Sequence, residues 1–213
     1  MSDPTLSCHP GTQPATWAWI SGWGIQPQRF EAAAKRALPE ATHRVFAPEP
    51  GAVDAALNCG TTHLGGYSLG SLLLLCALDR IDFSGRLCCL APIPAFCYEA
   101  GLGGQTPQAI LTSLQAKVER KPEAALKLFY RLSGLIGEPT DGLPYAAASL
   151  QWGLEMLATL RAPSDAFPRV HAVIGRADTL MDAGSLQGSF PHHTIIDRGH
   201  AYHDLLAALT EIQ

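Results

Sequence analysis

Residues 62–78 read Thr-His-Leu-Gly-Gly-Tyr-Ser-Leu-Gly-Ser-Leu-Leu-Leu-Leu-Cys-Ala-Leu, and this stretch decides the fold that we predict. Residues 62–66 enter a strand, and residues 69–78 are typical of a buried helix. Between the two lies Gly66-Tyr67-Ser68-Leu69-Gly70, a Gly-x-Ser-x-Gly pattern set between strand and helix. Its glycines allow the strand and the helix to approach closely around a strained turn, which exposes the serine hydroxyl. We therefore predict that Ser68 is a nucleophile at the top of a sheet.

Strand and helix patterns alternate over most of the chain, which favours a parallel sheet flanked by helices. Strands are predicted at residues 16–20, 43–47, 62–66, 85–91, 169–174 and 194–196, and helices at 28–37, 52–57, 69–78 and 202–212.

The stretch from 96 to 165 interrupts this alternation, because residues 107–160 hold helical patterns and no convincing strand. One of its helices has a face made by positions i, i+3, i+4 and i+7, namely Leu126, Phe129, Tyr130 and Ser133. We predict a helical lid at 96–165, inserted into a core made of residues 1–95 and 166–213. It would cap the C-terminal edge of the sheet, where such folds bind their ligands.

The composition of the chain excludes several classes of protein. With 213 residues, 47% hydrophobic and 16% charged, it is neither disordered nor a coiled coil. Its net charge of −4 argues against a nucleic-acid partner. The apolar stretches 72–78 and 88–98 are too short to span a bilayer, and residues 1–4 begin no signal peptide. We therefore predict a cytoplasmic protein without a membrane partner, and we expect a monomer.

The six cysteines are expected to be reduced thiols. No Cys-x-x-Cys pair occurs, so a metal site is not predicted. Cys88 and Cys89 fall in an apolar strand and are expected to be small core residues.

A serine nucleophile needs a neighbouring base and an acid that orients this base. Asp178 follows the strand that ends near residue 174, and His200 follows the strand at 194–196, which gives the order Ser, Asp, His. We predict that Ser68, Asp178 and His200 form a catalytic triad. Asp178 could instead cap a helix, and Asp182 is the alternative acid, while Asp197 is too close to His200 in the sequence to be its partner. His203, inside the last helix, is the alternative base, and His192 and His193 are expected in a solvated turn.

Such a site also needs two backbone N–H groups that stabilise a developing negative oxygen. One donor should be Leu69, the residue after the nucleophile, and the other should come from a loop after an earlier strand. The loop Ser21-Gly22-Trp23-Gly24 has that place, so we predict Trp23 as the second donor; the alternative is a plain turn with a buried tryptophan. No cofactor and no metal are expected for this chemistry.

These motifs resemble the α/β-hydrolase superfamily, and within it the esterases of biotin synthesis that cleave the methyl ester of pimeloyl-acyl-carrier protein. The chain is similar to that family in four segments: Gly22–Gly24, Gly66–Gly70, Phe129–Ser133 and Trp152–Leu157. It departs from the family in having Ser21 for a histidine, Tyr67 for a tryptophan and Ser71 for a glycine. Two lid positions, Arg131 and Ser133, also differ.

The resemblance implies an α/β-hydrolase fold with a mostly parallel sheet and a helical lid. It implies a serine carboxylesterase, with the methyl ester of pimeloyl-acyl-carrier protein as substrate. The substrate-binding residues that it implies are Trp23, Leu69, Phe129, Tyr130, Arg131, Leu132 and Ser133. Two other functions stay open: a thioesterase or general small-ester hydrolase on the same triad, and a non-catalytic binding protein that keeps the fold.

Basic residues gather in the predicted lid although the whole chain is acidic. Between 117 and 131 they are Lys117, Arg120, Lys121, Lys127 and Arg131, against only Glu119 and Glu123. We expect an acidic acyl-carrier protein to dock on Arg120, Lys121, Lys127 and Arg131; the alternative is ordinary solvated helix faces. Phe96, Phe129, Tyr130 and Trp152 are candidates to line an apolar channel for the acyl chain; the alternative is that each belongs to the core of the lid.

Overall fold

Parallel strands form the centre of the structure, a computed structural model that describes residues 15–139 and 142–211. In the described chain one six-stranded sheet has the order β2-β1-β3-β4-β5-β6, with every neighbouring pair parallel. Its strands are β1 Thr16–Ile20, β2 Thr42–Phe46, β3 His63–Tyr67, β4 Arg86–Leu90, β5 His171–Gly175 and β6 His193–Ile196. The parallel α/β sheet that the alternating pattern predicts is confirmed.

Helices cover both faces of this sheet and fill the long connection between β4 and β5. They are α1 Pro27–Ala37, α2 Ala52–Leu57, α3 Leu69–Leu75, α4 Gln108–Arg120, α5 Pro122–Leu132, α6 Ala147–Thr159, α7 Ala183–Ser189 and α8 Tyr202–Ala207. Both α1 and α5 begin with a proline, which the first turn tolerates because its N–H has no partner within the helix. All seven residues of α3 are buried.

Some predicted boundaries differ from those in the structure. Helix α3 ends at Leu75 instead of residue 78, because the next turn tightens into a 3-10 helix at Leu78–Arg80. The C-terminal helix likewise becomes 3-10 at Ala208–Glu211, and Ile212 lies outside the described residues. Strand β5 starts at His171, because Ser164–Arg169 form 3-10 turns.

The expectation for one histidine was wrong. His193 is the first residue of β6, where it pairs with Ala172, and its side chain is only half-buried rather than solvated in a turn. Its Nδ1 lies 2.7 Å from the carbonyl oxygen of Phe190. His192, just before it, is exposed as expected.

The inserted helices α4, α5 and α6 pack on one another and on the core. Helix α4 contacts both α5 and α6, and α6 contacts α3 of the core. The predicted apolar face of α5 is confirmed, since Leu126, Phe129, Tyr130 and Ser133 are all buried. The extent of the lid, residues 96–165, stays a prediction.

Two further expectations concern thiols and membranes. Cys59, Cys76, Cys88, Cys89 and Cys97 are free thiols, and Cys88 and Cys89 are buried in β4 as predicted. Cys8 and residues 1–4 lie outside the described residues. Among the helices that the structure describes, none is both long enough and apolar enough to cross a membrane.

Candidate active site

Ser68 lies at a strained turn between β3 and α3. Its backbone has φ 53° and ψ −116°, in a region that residues with a side chain rarely adopt. The neighbouring glycines explain how the turn is possible. A Cβ on Gly66 would lie 2.5 Å from the carbonyl oxygen of Gly70, and a Cβ on Gly70 would collide with the backbone of Ile20. Strand and helix therefore meet backbone to backbone around the serine.

A chain of hydrogen bonds links Ser68, His200 and Asp178. Ser68 Oγ lies 2.9 Å from His200 Nε2, and His200 Nδ1 lies 2.7 Å from Asp178 Oδ2. The other carboxylate oxygen, Oδ1, accepts the backbone N–H groups of Leu180 at 2.8 Å and Met181 at 3.3 Å. With the Nδ1–H donated to Asp178, Nε2 is an acceptor for the serine hydroxyl. The geometry is that of a base set against a nucleophile and oriented by an acid.

The loops after β5 and β6 hold this pair in place. Asp178 and His200 lie on loops that contact each other. The approach is so close that a Cβ on Gly175 would collide with the carbonyl oxygen of Gly199. Tyr67, beside the nucleophile, donates its hydroxyl to the His200 carbonyl oxygen at 2.9 Å. Burial raises the pKa of Tyr67 well above its ordinary value, so the hydroxyl stays protonated and can donate.

The alternative acids and the alternative base have other positions in the structure. Asp182 caps the N-terminus of α7, where its Oδ1 accepts a backbone N–H at 2.8 Å. Asp197 pairs with Arg176 at 2.6 Å on the surface, with 83% of its side chain exposed. His203 lies within α8 and stacks on Tyr202. None of the three joins the hydrogen-bonded chain at Ser68.

The loop Ser21–Ile25 passes directly beside the nucleophile. Its backbone turns on a hydrogen bond from the Ile25 N–H to the Gly22 carbonyl at 3.1 Å, with Gly24 at φ 78°. A Cβ on Gly22 would lie 3.2 Å from Ser68 Cβ, so no side chain separates this loop from the serine. The loop therefore lies where an oxyanion donor is needed.

Trp23 and Leu69 occupy the two predicted donor positions. Within the described part of the chain, neither backbone amide donates a hydrogen bond to a protein acceptor, which leaves both available to a substrate oxygen. Both side chains are buried under α6. A Cβ on Gly153 of that helix would lie 2.7 Å from Trp23 Cδ1 and 3.0 Å from Leu69 Cδ2.

Two of the predicted lid residues contact the loop beside Ser68. Phe129 packs its ring edge-on against Trp23, with 4.8 Å between centroids. Tyr130 donates its hydroxyl to the Gly24 carbonyl oxygen at 2.6 Å. Ser133 is buried, and its hydroxyl bonds the Phe129 carbonyl of its own helix at 2.8 Å.

Arg131 and Leu132 are on the exposed side of α5, and the contacts of these lid residues with a substrate stay predictions. The predicted aromatic channel is not assembled as expected. Trp152 lines a surface cleft with Val53 and Leu73, away from Phe129. Neighbouring positions on a helix face different directions, and it is Gly153 that faces the oxyanion loop.

The sequence analysis missed a structural role for Ser71. This side chain donates to the Ser68 carbonyl at 2.6 Å and accepts the Ile93 N–H at 3.1 Å, so it ties the elbow to the loop after β4. The sequence signal was a small polar residue near the start of a helix otherwise made of glycine and leucine.

Side chains that bind metals are dispersed. Over residues 15–139 and 142–211, no three His, Cys, Asp or Glu side chains come together to hold a metal ion. Burial raises the pKa of the Cys88 thiol to about 12 and that of Cys89 well above its ordinary value, so both thiols are protonated at neutral pH.

No protein-family profile matches this chain, and no curated protein sequence does. Solved structures match it over most of its length. The esterase EaEST from Exiguobacterium antarcticum has a TM-score of 0.68 at 13% identity, over 94% of this chain and 89% of that one. A thermophilic esterase from Thermogutta terrifontis has a TM-score of 0.65 at 13% identity, over 98% and 93%. BioG from Haemophilus influenzae has a TM-score of 0.57 at 14% identity, over 91% and 93%.

The chain has the α/β-hydrolase fold. This confirms the fold that the motifs predict. In α/β-hydrolases the nucleophile precedes the acid, and the acid precedes the histidine. Ser68, Asp178 and His200 have that order, at the ends of β3, β5 and β6.

Two substitutions test whether Asp178, and not Asp197, is the acid that pairs with His200. We expect Asp178→Asn to lower kcat on a p-nitrophenyl ester by about 10³–10⁴-fold, because the amide no longer stabilises the correct tautomer and charge of His200. The matched control is Asp197→Asn, which removes an exposed carboxylate only 3 residues from His200 in the sequence. In steady-state kinetics, Asp197→Asn should have the wild-type kcat. Equal losses in the two variants would contradict the placement of Asp178.

Proposed function

We propose that this protein is a serine carboxylesterase that hydrolyses its ester through an acyl-enzyme. The observation that carries the proposal is the buried chain Ser68 Oγ–His200 Nε2 at 2.9 Å and His200 Nδ1–Asp178 Oδ2 at 2.7 Å. A serine hydroxyl is a weak nucleophile alone, and a base in this geometry activates it.

The reaction follows from the positions of these groups. Ser68 Oγ attacks the ester carbonyl while His200 Nε2 takes the hydroxyl proton, and Asp178 stabilises the imidazolium that forms. The amides of Trp23 and Leu69 donate to the oxyanion of the tetrahedral intermediate. His200 then gives the proton to the departing alcohol. Water, deprotonated by His200, attacks the acyl-enzyme and releases the acid.

The preferred substrate in this proposal is the methyl ester of pimeloyl-acyl-carrier protein. The segments quoted above support it, because they resemble the esterases that act on this ester. Charge on the inserted helices is the second support. Arg120 and Lys121 are exposed at the corner between α4 and α5, and Lys127 and Arg131 are exposed one turn apart on α5.

Apolar side chains accompany these cations. Lys127 and Arg131 line a surface cleft of about 510 Å³ together with Leu135 and Ile136. Ile136 is 96% exposed, and Leu132 nearby is 47% exposed. We call the surface made by Lys127, Arg131, Leu132 and Ile136 the α5 surface. Positive charge around exposed apolar groups suits an acidic protein partner, since charge steers the encounter and apolar burial stabilises it.

Ser68 itself is covered, at 4% exposure. In this proposal the inserted helices open to admit the ester group and return to the oxyanion loop before the reaction, as lids commonly do in enzymes that exclude water.

The proposed activity has a direct test. We expect the purified protein to convert the methyl ester of pimeloyl-acyl-carrier protein to the free acid, detected as a loss of 14 mass units on the carrier, roughly one CH₂. Ser68→Ala should abolish this conversion, while its melting temperature shows that the fold is kept. If the protein instead cleaves only thioesters, or only short p-nitrophenyl esters, the triad stands and the substrate is wrong. If Ser68 is needed for the cleavage of neither esters nor thioesters, the proposal that this protein is a serine hydrolase is wrong.

Charge reversal tests the α5 surface. We expect Lys127→Glu with Arg131→Glu to raise KM for the carrier-bound ester roughly tenfold at low salt, because both cations then repel an acidic partner. KM for a short soluble ester should not change. The matched control, Arg36→Glu with Arg44→Glu, makes the same change in net charge at exposed residues of α1 and β2. A rise of KM in both double variants would indicate a general charge effect and contradict docking on α5.

A further inference from the structure

Two tyrosines of the inserted segment hold the peptide groups of Gly24 in the oxyanion loop. The Gly24 N–H donates to the Tyr145 hydroxyl at 2.7 Å. The Gly24 carbonyl accepts the Tyr130 hydroxyl at 2.6 Å. Tyr130 lies in α5 and Tyr145 in the loop before α6, so these bonds come from two separate parts of the segment.

The neighbouring Trp23 is held from the same side. Its indole N–H donates to the Leu150 carbonyl of α6 at 2.8 Å, and Phe129 of α5 packs on its ring. Three hydrogen bonds with the inserted segment therefore converge on two successive residues of one turn.

The turn itself needs such support. Gly22 and Gly24 surround Trp23, and glycine adopts positive and negative φ about equally well. Within the described chain, the turn has one backbone bond of its own, from Ile25 to Gly22 at 3.1 Å, and a long contact of 3.4 Å from the Ser21 hydroxyl to the Ile25 carbonyl. The Ile25 bond joins the Gly24–Ile25 peptide to the Gly22–Trp23 peptide, which carries the Trp23 N–H, so the position of this N–H depends on how Gly24 is held.

Leu126 and Tyr130 also leave no space at Gly24. A Cβ there would lie 2.8 Å from Leu126 Cδ2 and 3.4 Å from Tyr130 Cε1. The loop and α5 are thus complementary in shape as well as in hydrogen bonding. Burial raises the pKa of both Tyr130 and Tyr145, which keeps their hydroxyls neutral at working pH.

We infer that Tyr130 and Tyr145 are positioning residues: they fix the two peptide groups on either side of Gly24, and through the bond from the Ile25 N–H to the Gly22 carbonyl they preorganise the Trp23 amide as an oxyanion donor. The inference rests on the proposed function, and it gives Tyr130 a different role from the substrate contact that the resemblance implies. A donor that is already oriented needs no reorganisation when the oxyanion forms, so it favours the transition state over the bound ester. The inserted helices then contribute to the chemistry when they are closed, besides covering the site.

The test uses Tyr130→Phe and Tyr145→Phe in the full chain. Removing a whole oxyanion donor lowers kcat by about 10²–10³-fold, so loosening one should cost roughly tenfold per variant. We expect kcat on a short ester to fall by that factor while KM stays within about twofold. Affinity for a trifluoromethyl ketone, which forms an anionic tetrahedral adduct with a serine, should fall in proportion to kcat/KM.

Tyr202→Phe is the matched control. Its hydroxyl also ties the core to the inserted segment, through a buried bond of 2.8 Å to Glu138, but it does not touch the oxyanion loop. We expect this variant to melt at a lower temperature and to keep the wild-type kcat and ketone affinity. If it loses kcat as much as the Tyr130 and Tyr145 variants do, general loosening of the segment explains the effect and the inference fails.

Amide hydrogen exchange at Gly24 tests its hydrogen bond to Tyr145 independently of turnover. Exchange should accelerate at least tenfold in Tyr145→Phe, since the Gly24 N–H loses its acceptor, and remain unchanged in Tyr202→Phe. Unchanged exchange in Tyr145→Phe overturns the inference. A wild-type kcat in both Tyr130→Phe and Tyr145→Phe also overturns the inference, even where Ser68-dependent turnover upholds the proposed function. A wild type with no Ser68-dependent turnover is a separate result, which contradicts the proposed function and with it the catalytic part of the inference.

Discussion

The close approach of β3 and α3 around Ser68 is the constraint on which the rest of the site depends. A non-glycine residue at φ 53° costs on the order of 1–3 kcal/mol and persists only where its surroundings hold it there. Here they do so in two ways. Helix α3 is buried along its whole length, and the Ser71 hydroxyl ties the Ser68 carbonyl to the loop that follows β4. The surrounding structure therefore fixes Ser68 at the edge of the sheet, with its hydroxyl directed toward His200.

The strand order brings the other groups to the same place. All six strands of the described sheet are parallel, so the loops after their C-terminal ends share one edge. Because β1 is next to β3, the loop after β1 reaches Ser68 from one side. Because β5 is next to β6, the loops that carry Asp178 and His200 touch each other and reach Ser68 from the other side, across the end of β4. The inserted helices leave the sheet after β4 and return at β5, which places them above this edge, in contact with the oxyanion loop.

The features that the sequence predicted depend on short-range patterns, and most of those that it did not predict depend on contacts between residues far apart in the chain. The elbow, the strands and the order Ser68, Asp178, His200 depend on local patterns and on chain order, and the sequence carries both. The family resemblance implied a substrate contact for Tyr130, and an aromatic residue on a helix face does not by itself reveal the partner of its hydroxyl. That partner is 106 residues away, and the Tyr145 contact spans 121 residues. The end of α3 at residue 75 and the start of β5 at 171 were missed for a different reason, because the adjoining 3-10 segments, 3 and 6 residues long, are too short to show a period of their own.

The central claim is that Ser68 is the nucleophile of an esterase, and covalent labelling tests it most directly. A fluorophosphonate mixed with the native protein should add one phosphonyl group, located on Ser68 by peptide mass spectrometry. Ester turnover should fall in proportion to the labelled fraction and reach zero when labelling is complete. Labelling at another residue, or turnover that survives full modification of Ser68, would contradict the account.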